Sequence, residues 1–135
     1  MSVSPWLLTQ DLDARVDAAV AAIRARSSRV PRVALTLGSG LGGAVSAIES
    51  ADVFPTAELP HWPPSTVHGH AGKVVLGTWK GVDVVALAGR SHRYEGTFGV
   101  RVMRKLGAAV MVFTNAVGAI HPELRPADSC SRSTT

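Results

Sequence analysis

The positions of apolar residues along the chain change from a helical spacing to short unbroken runs. Between residues 11 and 26, apolar side chains recur every three or four positions, with acidic residues early and arginines late, which predicts an amphipathic helix. Beyond Pro31 the run Val33–Leu37 is apolar apart from one threonine, as is typical of a strand buried on both faces. The first part of the chain is therefore expected to fold as a helix followed by an inner strand.

A hairpin, a second helix and another strand are predicted further along. Lys73–Trp79 and Val82–Ala88 are rich in strand-forming residues and are separated by a Lys-Gly pair, which predicts a hairpin. Residues 100–106 have the pattern of a short helix that ends at a glycine, and residues 108–114 form an apolar run that predicts a buried strand. Helices and strands in a chain of 135 residues indicate one α/β domain.

Three of these predicted strands end in glycine-rich or polar turns, at Gly38, Gly89 and Asn115. Ligands of open α/β sheets bind outside the carboxyl ends of the strands. The first turn, residues 38–43, leads into the predicted start of a helix at 44–48, and the N–H groups of such a turn can hold a phosphate. The convergence of the three turns predicts a ligand site at one end of the sheet.

The glycine turn has two other interpretations. Gly38, Gly40 and Gly43 have the spacing of the dinucleotide-binding fingerprint G-x-G-x-x-G. That motif needs an acidic residue at the end of a second strand about twenty residues later, where the prolines of residues 57–64 disfavour an inner strand. A purely structural tight turn is the other interpretation, and the sequence leaves these alternatives open.

The segment at residues 88–96 carries side chains suited to an anion. Arg90, His92 and Tyr94 occupy alternate positions of a segment predicted to be extended, so their side chains are expected to point in the same direction. A guanidinium offers a planar set of donors and an imidazole adds one or two more, which together suit an oxyanion. The alternative is a loop whose charged residues face water.

A loop of small residues at 65–72 carries two histidines. His70 is the better candidate for contact with a ligand, because neighbouring glycines let the backbone come close. His68 and His70 would bind a metal only together with further ligands, and no cysteine or carboxylate cluster accompanies them. No metal is therefore expected, and His68 is interpreted as a solvent-exposed loop residue.

Composition and charge narrow the functional classes. Fourteen lysines and arginines against ten acidic residues give a net charge of +4 without clustering, which favours anionic ligands mildly and argues against a nucleic-acid partner. No apolar run reaches membrane-spanning length, and the first residues lack a signal-peptide pattern. Cys130 is the single cysteine, which excludes an intramolecular disulfide, and the chain is expected to be cytoplasmic with no membrane partner.

Four motifs resemble those of the trimeric purine nucleoside phosphorylases, a family that includes the methylthioadenosine phosphorylases. They are Gly-Ser-Gly-Leu-Gly-Gly at 38–43, Ser-Thr-Val-His-Gly-His-Ala-Gly at 65–72, Gly-Arg-Ser-His-Arg-Tyr-Glu-Gly at 89–96 and Thr-Asn-Ala-Val-Gly at 114–118. The resemblance extends to about Pro122 and covers the N-terminal half of the family. It implies an α/β three-layer sandwich with a mixed, largely parallel central sheet flanked by helices, truncated at the C-terminus, in a family of homotrimers. Residues 1–124 would form the N-terminal part of a single phosphorylase domain, and the polar residues 125–135 are expected to be a disordered tail.

Carried over by position, the resemblance assigns roles to residues in all four motifs. It implies that phosphate is held by Ser39, Arg90, His92 and the backbone N–H of Ala116, with His70 close to it, that Tyr94 lines the ribose site, and that Val117 and Gly118 pass near the purine. Arg90 and His92 are the implied catalytic residues. The implied reaction is phosphate-dependent cleavage of purine (deoxy)ribonucleosides to free base and (deoxy)ribose 1-phosphate in purine salvage. Inorganic phosphate is the co-substrate, and no organic cofactor or metal is expected.

In the family resembled here, the second half supplies the glutamate and asparagine that recognise the base and assist its departure, and no residue after Pro122 matches them. Loss of leaving-group assistance commonly costs about 10²–10⁴ in rate. The chain is therefore expected to be a purine nucleoside phosphorylase of low activity. Methylthioadenosine phosphorylase and a non-catalytic phosphate- or nucleoside-binding fragment are the alternatives.

Overall fold

The computed structural model describes residues 5–38, 41–63, 72–89, 93–114, 120 and 122–125. In chain order the elements within them are α1 (Pro5–Arg24), β1 (Val33–Leu37), a first 3₁₀ helix (Gly42–Ala47), β2 (Glu49–Pro55), a second 3₁₀ helix (Thr56–Glu58), β3 (Lys73–Trp79), β4 (Val82–Ala88), α2 (Arg93–Lys105) and β5 (Val110–Phe113). The predicted α/β class is confirmed.

The five strands form one mixed sheet in the order β2-β3-β4-β1-β5. β1 runs parallel to β4 on one side and to β5 on the other, whereas β2, β3 and β4 pair antiparallel. The carboxyl ends of β4, β1 and β5 consequently lie side by side, with Leu37 opposite Ala88. β3 begins at the same edge, because Lys73 pairs with Ala88. This end of the sheet, formed by Leu37, Lys73, Ala88 and Phe113, is called the rim below.

Both faces of the sheet are covered, by unequal amounts of apolar surface. α1 and α2 pack on one face, and the larger core cluster lies between them and the sheet. The helical residues of that cluster are Val16, Ala19 and Ile23 from α1 and Phe98, Val102 and Met103 from α2. The opposite face carries a smaller cluster, against which Ala44 and Val45 of the first 3₁₀ helix pack. Full burial of an apolar side chain contributes about 1.5–3 kcal/mol, so the helix face supplies the larger hydrophobic term.

The predicted hairpin is confirmed at both ends. β3 and β4 pair from Lys73 opposite Ala88 to Trp79 opposite Val82. The two residues between the strands, Lys80 and Gly81, have φ values of 49° and 79°. Positive φ at both central positions is what a two-residue type I′ turn requires, and this turn matches the twist of the strands it joins.

The prediction of a helix at 44–48 was wrong in type and length. The glycine turn leads into the short 3₁₀ helix, and the chain then becomes extended at Ile48 and continues as β2, a strand that the sequence pattern did not predict. Phe54 is the buried residue of β2 and the others are exposed or half-buried. A strand at the edge of a sheet buries few side chains, so it leaves a weak apolar signal.

α2 is longer than predicted. It begins at Arg93 rather than at residue 100, so Tyr94 lies in its first turn and not in the extended segment predicted for 90–94. The first part of the helix was not predicted because glycine has low helix propensity and α2 contains glycines at 96 and 99. Gly99 is buried where the elements approach closely: a Cβ built there would lie 2.9 Å from Cδ2 of Leu87 and 3.3 Å from Cζ2 of Trp62.

β5 occupies part of the predicted strand at 108–114, but the prediction that it is buried was wrong. Val110 is 54% exposed and Phe113 is 63% exposed. The apolar run is typical of an inner strand, yet β5 is the last strand of the described sheet and has β1 as its neighbour on one side. α1 also differs slightly from the predicted 11–26, since it spans Pro5–Arg24.

Neither α-helix in the described ranges has a stretch long and apolar enough to cross a membrane. The same ranges contain no group of three or more His, Cys, Asp or Glu side chains placed to hold a metal ion.

Candidate functional site at the rim

The ends of β1 and β5 are joined at the rim by one threonine. The backbone N–H of Gly38 donates to Oγ1 of Thr114 at 3.0 Å. The Thr114 hydroxyl in turn donates to the carbonyl of Thr36 at 2.6 Å, and the Thr114 N–H donates to that same carbonyl at 3.2 Å. Residues 39–40 and 115–119 therefore leave the sheet from two points held together by this hydroxyl.

The ends of β3 and β4 are held in contact by two glycines. The carbonyl of Gly72 accepts hydrogen bonds from the N–H and the hydroxyl of Thr56, at 2.9 Å and 3.0 Å. Gly89 has φ +123°, and a Cβ built on it would lie 2.7 Å from Cα of Gly72. Gly72 and Gly89, the described residues next to the segments 64–71 and 90–92, are consequently in direct contact.

Trp62, which precedes the segment 64–71, packs on α2. The indole of Trp62 meets the ring of Phe98 edge to face, with the ring centroids 5.4 Å apart and the planes at 82°. Such aromatic pairs contribute about 0.5–1.5 kcal/mol beyond the area they bury. The described residues on either side of 64–71 are thus placed by Trp62, which packs on α2, and by β3, which begins beside the end of β4.

The residues assigned by the sequence lie within five positions, along the chain, of the residues that make these contacts. Seven of them lie outside the described residues: Ser39, His70, Arg90, His92, Ala116, Val117 and Gly118. Tyr94 is described as part of α2, but its side chain is not. The side-chain assignments stay predictions. The ends of the three predicted strands do lie side by side, at Leu37, Ala88 and Phe113, whereas Asn115, the third of the predicted turn residues, lies outside the described residues.

Several residues that shape the rim have no recognisable signal in the sequence. Thr114 belongs to one of the motifs, but its hydroxyl bonds to β1 depend on a strand pairing that spans 78 residues. Thr56 lies in no motif, and its partner Gly72 is 16 residues away. Trp62 and Phe98 meet only when the loop packs on α2. Each is a tertiary contact with no local pattern to reveal it.

The described topology does not fit the dinucleotide interpretation of the glycine turn. That site needs a parallel strand, helix and strand in succession, with the helix N-terminus at the pyrophosphate. Here the turn leads to a six-residue 3₁₀ helix and then to β2, which pairs antiparallel with β3 at the far edge of the sheet.

Comparison with known proteins identifies the architecture. The sequence profile described as the phosphorylase superfamily matches residues 32–130, which is most of the chain. The chain belongs to the phosphorylase superfamily. Its resemblance to the purine nucleoside phosphorylases, noted from the four motifs, is confirmed.

Curated members of the superfamily with similar sequences are named purine nucleoside phosphorylases. Purine nucleoside phosphorylase 1 of Bacillus subtilis is 43% identical over 120 residues, which cover 84% of this chain and 44% of the relative. Purine nucleoside phosphorylase of Bos taurus is 45% identical over 104 residues, which cover 73% of this chain and 36% of the relative. The chain thus spans less than half the length of these relatives.

Solved structures of the superfamily share the fold described above. Isoform 2 of purine nucleoside phosphorylase from Schistosoma mansoni, in complex with cytosine and ribose-1-phosphate, has a TM-score of 0.76 and 37% identity, and the match covers 82% of this chain and 41% of that one. A Schistosoma mansoni purine nucleoside phosphorylase in complex with inosine has a TM-score of 0.74 and 30% identity, with 83% and 41% covered. These similarities confirm the phosphorylase-like fold class.

Proposed function

We propose that this chain forms the phosphate- and ribose-binding part of a purine nucleoside phosphorylase. The observation that carries the proposal is that the described residues flanking four chain segments lie together at the rim. Gly38 bonds to Thr114, and Gly72 packs on Gly89, so the residues that follow β1, precede β3, follow β4 and follow β5 all start from one edge of the sheet. These are the segments that contain the four motifs. Solved relatives hold ribose-1-phosphate and inosine, which supports the choice of ligands.

In this proposal the rim segments hold inorganic phosphate against the sugar. Arg90 and His92 bind the anion together with Ser39, the N–H of Ala116 and the nearby His70, while Tyr94 lines the ribose site and Val117 and Gly118 border the purine. A phosphate oxygen forms a bond to the anomeric carbon as the bond from that carbon to the purine nitrogen breaks. The electron pair leaves with the base, which takes up a proton. The site lowers the barrier by fixing the nucleophile and by placing positive charge beside it.

The proposed function also includes a co-substrate, a cellular compartment and an oligomeric state. We expect inorganic phosphate as co-substrate with no organic cofactor or metal, a cytoplasmic role in purine salvage, and a homotrimeric assembly. The cited relatives are named purine nucleoside phosphorylases, and this favours a purine nucleoside with an unmodified sugar, such as inosine or guanosine, over methylthioadenosine as the substrate.

A phosphate-dependent assay tests the activity. The full chain is incubated with inosine, guanosine or methylthioadenosine, with and without phosphate, and the released base is measured by chromatography. Base release that requires phosphate, is greater with inosine or guanosine, and is lost in Arg90→Ala is the expected result. Arg32→Ala is the matched control, because Arg32 is exposed and precedes β1 at the opposite end of the sheet. Turnover that persists in Arg90→Ala would refute the assignment of that residue.

A second candidate is binding of phosphate or a nucleoside without catalysis; the matched region corresponds to 36–44% of the length of the cited relatives. It predicts that phosphate raises the melting temperature of the chain while no base is released. Arg90→Ala removes a charge-assisted hydrogen-bond donor worth about 1.5–3 kcal/mol, so it should weaken phosphate binding at least tenfold, and Arg32→Ala should not. An unchanged phosphate effect in Arg90→Ala would contradict both candidates.

A further inference from the structure

The pairing of β1 with β5 begins, at the end of the sheet away from the rim, as an ordinary parallel ladder. Val110 lies opposite Val33, and the N–H of Val110 donates to the carbonyl of Arg32 at 3.2 Å. In a parallel ladder every second residue of a strand donates to the residue before its opposite residue and accepts from the residue after it. The first rung between these two strands is therefore made by backbone groups.

At the rim a side chain takes over one rung of this ladder. The register, continued by one residue, places Thr114 opposite Leu37, and the Thr114 N–H donates to the carbonyl of Thr36 at 3.2 Å as the ladder requires. The next rung would run from the N–H of Gly38 to the backbone carbonyl of Thr114. That N–H donates instead to Oγ1 of Thr114 at 3.0 Å. The threonine hydroxyl therefore occupies the place of a backbone carbonyl at the last rung.

The orientation of this hydroxyl is fixed by two hydrogen bonds. It accepts from Gly38 and donates to the carbonyl of Thr36 at 2.6 Å, so both its acceptor and its donor capacity are used. Thr114 and Gly38 are both half-buried, which limits competition from water. The Thr114 side chain consequently holds the end of β5 at a set distance from the end of β1.

The two residues joined by the hydroxyl are close in sequence to two of the proposed phosphate contacts. Ser39 follows Gly38 directly, and Ala116 lies two residues after Thr114. The residues that the hydroxyl joins are 76 positions apart in the chain. The separation of the two phosphate contacts therefore depends on how the ends of β1 and β5 are held together.

We propose that Thr114 is a positioning residue for phosphate, and that its hydroxyl sets the distance between the segments that follow β1 and β5. The proposal rests on the proposed function for the place of the anion. Hydrogen bonds to an oxyanion are short and directional, so both segments must present their donors at matching distances to bind one phosphate. Thr114 acts through Gly38 and Thr36 rather than by contact with the anion.

A purely structural role for Thr114 gives different expectations. A threonine that only strengthens the end of the sheet would change the stability of the chain but not the affinity of the folded chain for phosphate. Thr36 provides the comparison within the same strand pair, because its hydroxyl donates to the carbonyl of Val112 at 3.5 Å. Thr36→Val and Thr114→Val each remove one hydroxyl between β1 and β5, and only the second removes the acceptor of the Gly38 N–H.

Isothermal titration calorimetry of the full chain with inorganic phosphate tests the proposal. Thr114→Val should weaken phosphate binding by about tenfold or more, because valine has neither donor nor acceptor and a misplacement of about 1 Å in a binding group can cost about 100-fold. Thr114→Ser keeps the hydroxyl and should stay within about threefold of the parent chain. Thr36→Val should leave the affinity unchanged. Circular dichroism at the temperature of the titration checks that each variant is folded, and Thr114→Ala, which also lacks the hydroxyl, takes the place of Thr114→Val if the latter does not fold.

The outcomes separate this role from the proposed function. Weaker binding in Thr114→Val with recovery in Thr114→Ser supports the proposal. If Arg90→Ala loses phosphate binding while Thr114→Val binds as tightly as the parent chain, the positioning role is refuted and the proposed function stands. Equal losses in Thr36→Val and Thr114→Val would also refute the role, because the effect would then belong to the strand pair as a whole. A parent chain that binds no phosphate would overturn both.

Discussion

Among single residues, Thr56 has a direct effect on the geometry of the rim. It is 7% exposed, and both its N–H and its hydroxyl bond to the carbonyl of Gly72. Thr56→Val keeps the shape and the N–H bond but removes the hydroxyl donor, so the free energy of unfolding should fall by about 0.5–1.5 kcal/mol. Thr56→Ser keeps the hydroxyl donor, so its free energy of unfolding should fall by less than that of Thr56→Val. Urea denaturation measures both variants, and a Val variant as stable as the parent chain would mean that the hydroxyl bond contributes nothing.

Gly89 is the residue at which the backbone of β4 comes nearest to the incoming loop. Gly89→Ala places a Cβ at a φ of +123° and 2.7 Å from Cα of Gly72, so it should destabilise the fold by roughly 1–3 kcal/mol. Gly81→Ala is the control for the backbone term alone, because Gly81 also has positive φ but no atom within 4 Å of the added Cβ. Thermal unfolding should rank Gly89→Ala below Gly81→Ala. Equal stabilities would argue against a close contact between Gly72 and Gly89.

At the scale of elements, Arg29 joins the α1–β1 connection to three strands. Its guanidinium donates to Oγ1 of Thr78 at 3.2 Å and to the carbonyl of Ser50 at 3.0 Å, and pairs with Asp83 at 3.3 Å and Asp52 at 3.7 Å. The side chain is 29% exposed, and several of its donors are used at once. Arg29→Ala should therefore cost about 2 kcal/mol. Arg29→Lys keeps the charge but loses the planar fork.

Urea denaturation of these two Arg29 variants at low and high salt separates charge from geometry. If geometry dominates, Arg29→Lys recovers less than half of the loss at both salt concentrations. If Arg29→Lys recovers all of the lost unfolding free energy, or if the loss disappears at high salt, the network contributes no more than ordinary surface ion pairs.

Some of the helices and strands could be predicted from the sequence and others could not. The hairpin at 73–88 and the strand at 33–37 were predicted because short apolar runs and a Lys-Gly turn are local signals. β2 was missed because Phe54 is its single buried residue, which leaves a weak apolar signal. The start of α2 was missed because glycine has low helix propensity, and the contacts of Gly99 with Trp62 and Leu87 form only in the folded chain.

The candidate site was predictable to the same extent. The strand ends that converge follow from the order of apolar runs and turns, so the rim could be located from the sequence. The bonds that hold it together join Thr114 to Thr36 and Thr56 to Gly72, and they arise from strand pairing and loop packing that no short motif encodes. The roles of the side chains were predicted from the resemblance of four motifs, and the phosphate-dependent assay of Arg90→Ala tests the role of Arg90.

For the whole molecule, the shared strands couple the two faces of the sheet. On β3, Val74 belongs to the helix-face cluster and its neighbour Val75 to the cluster on the opposite face. Trp62 packs against the first cluster and Trp79 against the second. Loss of one cluster exposes the strands that support the other, so both should unfold in one cooperative transition.

Fluorescence of two double variants measures this cooperativity. Trp6→Phe with Trp79→Phe leaves Trp62 as the reporter, and Trp6→Phe with Trp62→Phe leaves Trp79. Within each variant, the fluorescence midpoint in urea should coincide with the midpoint from far-ultraviolet circular dichroism. If the Trp79 signal is lost at lower urea than the circular dichroism signal of the same variant, the thinner face under the 3₁₀ helix opens on its own.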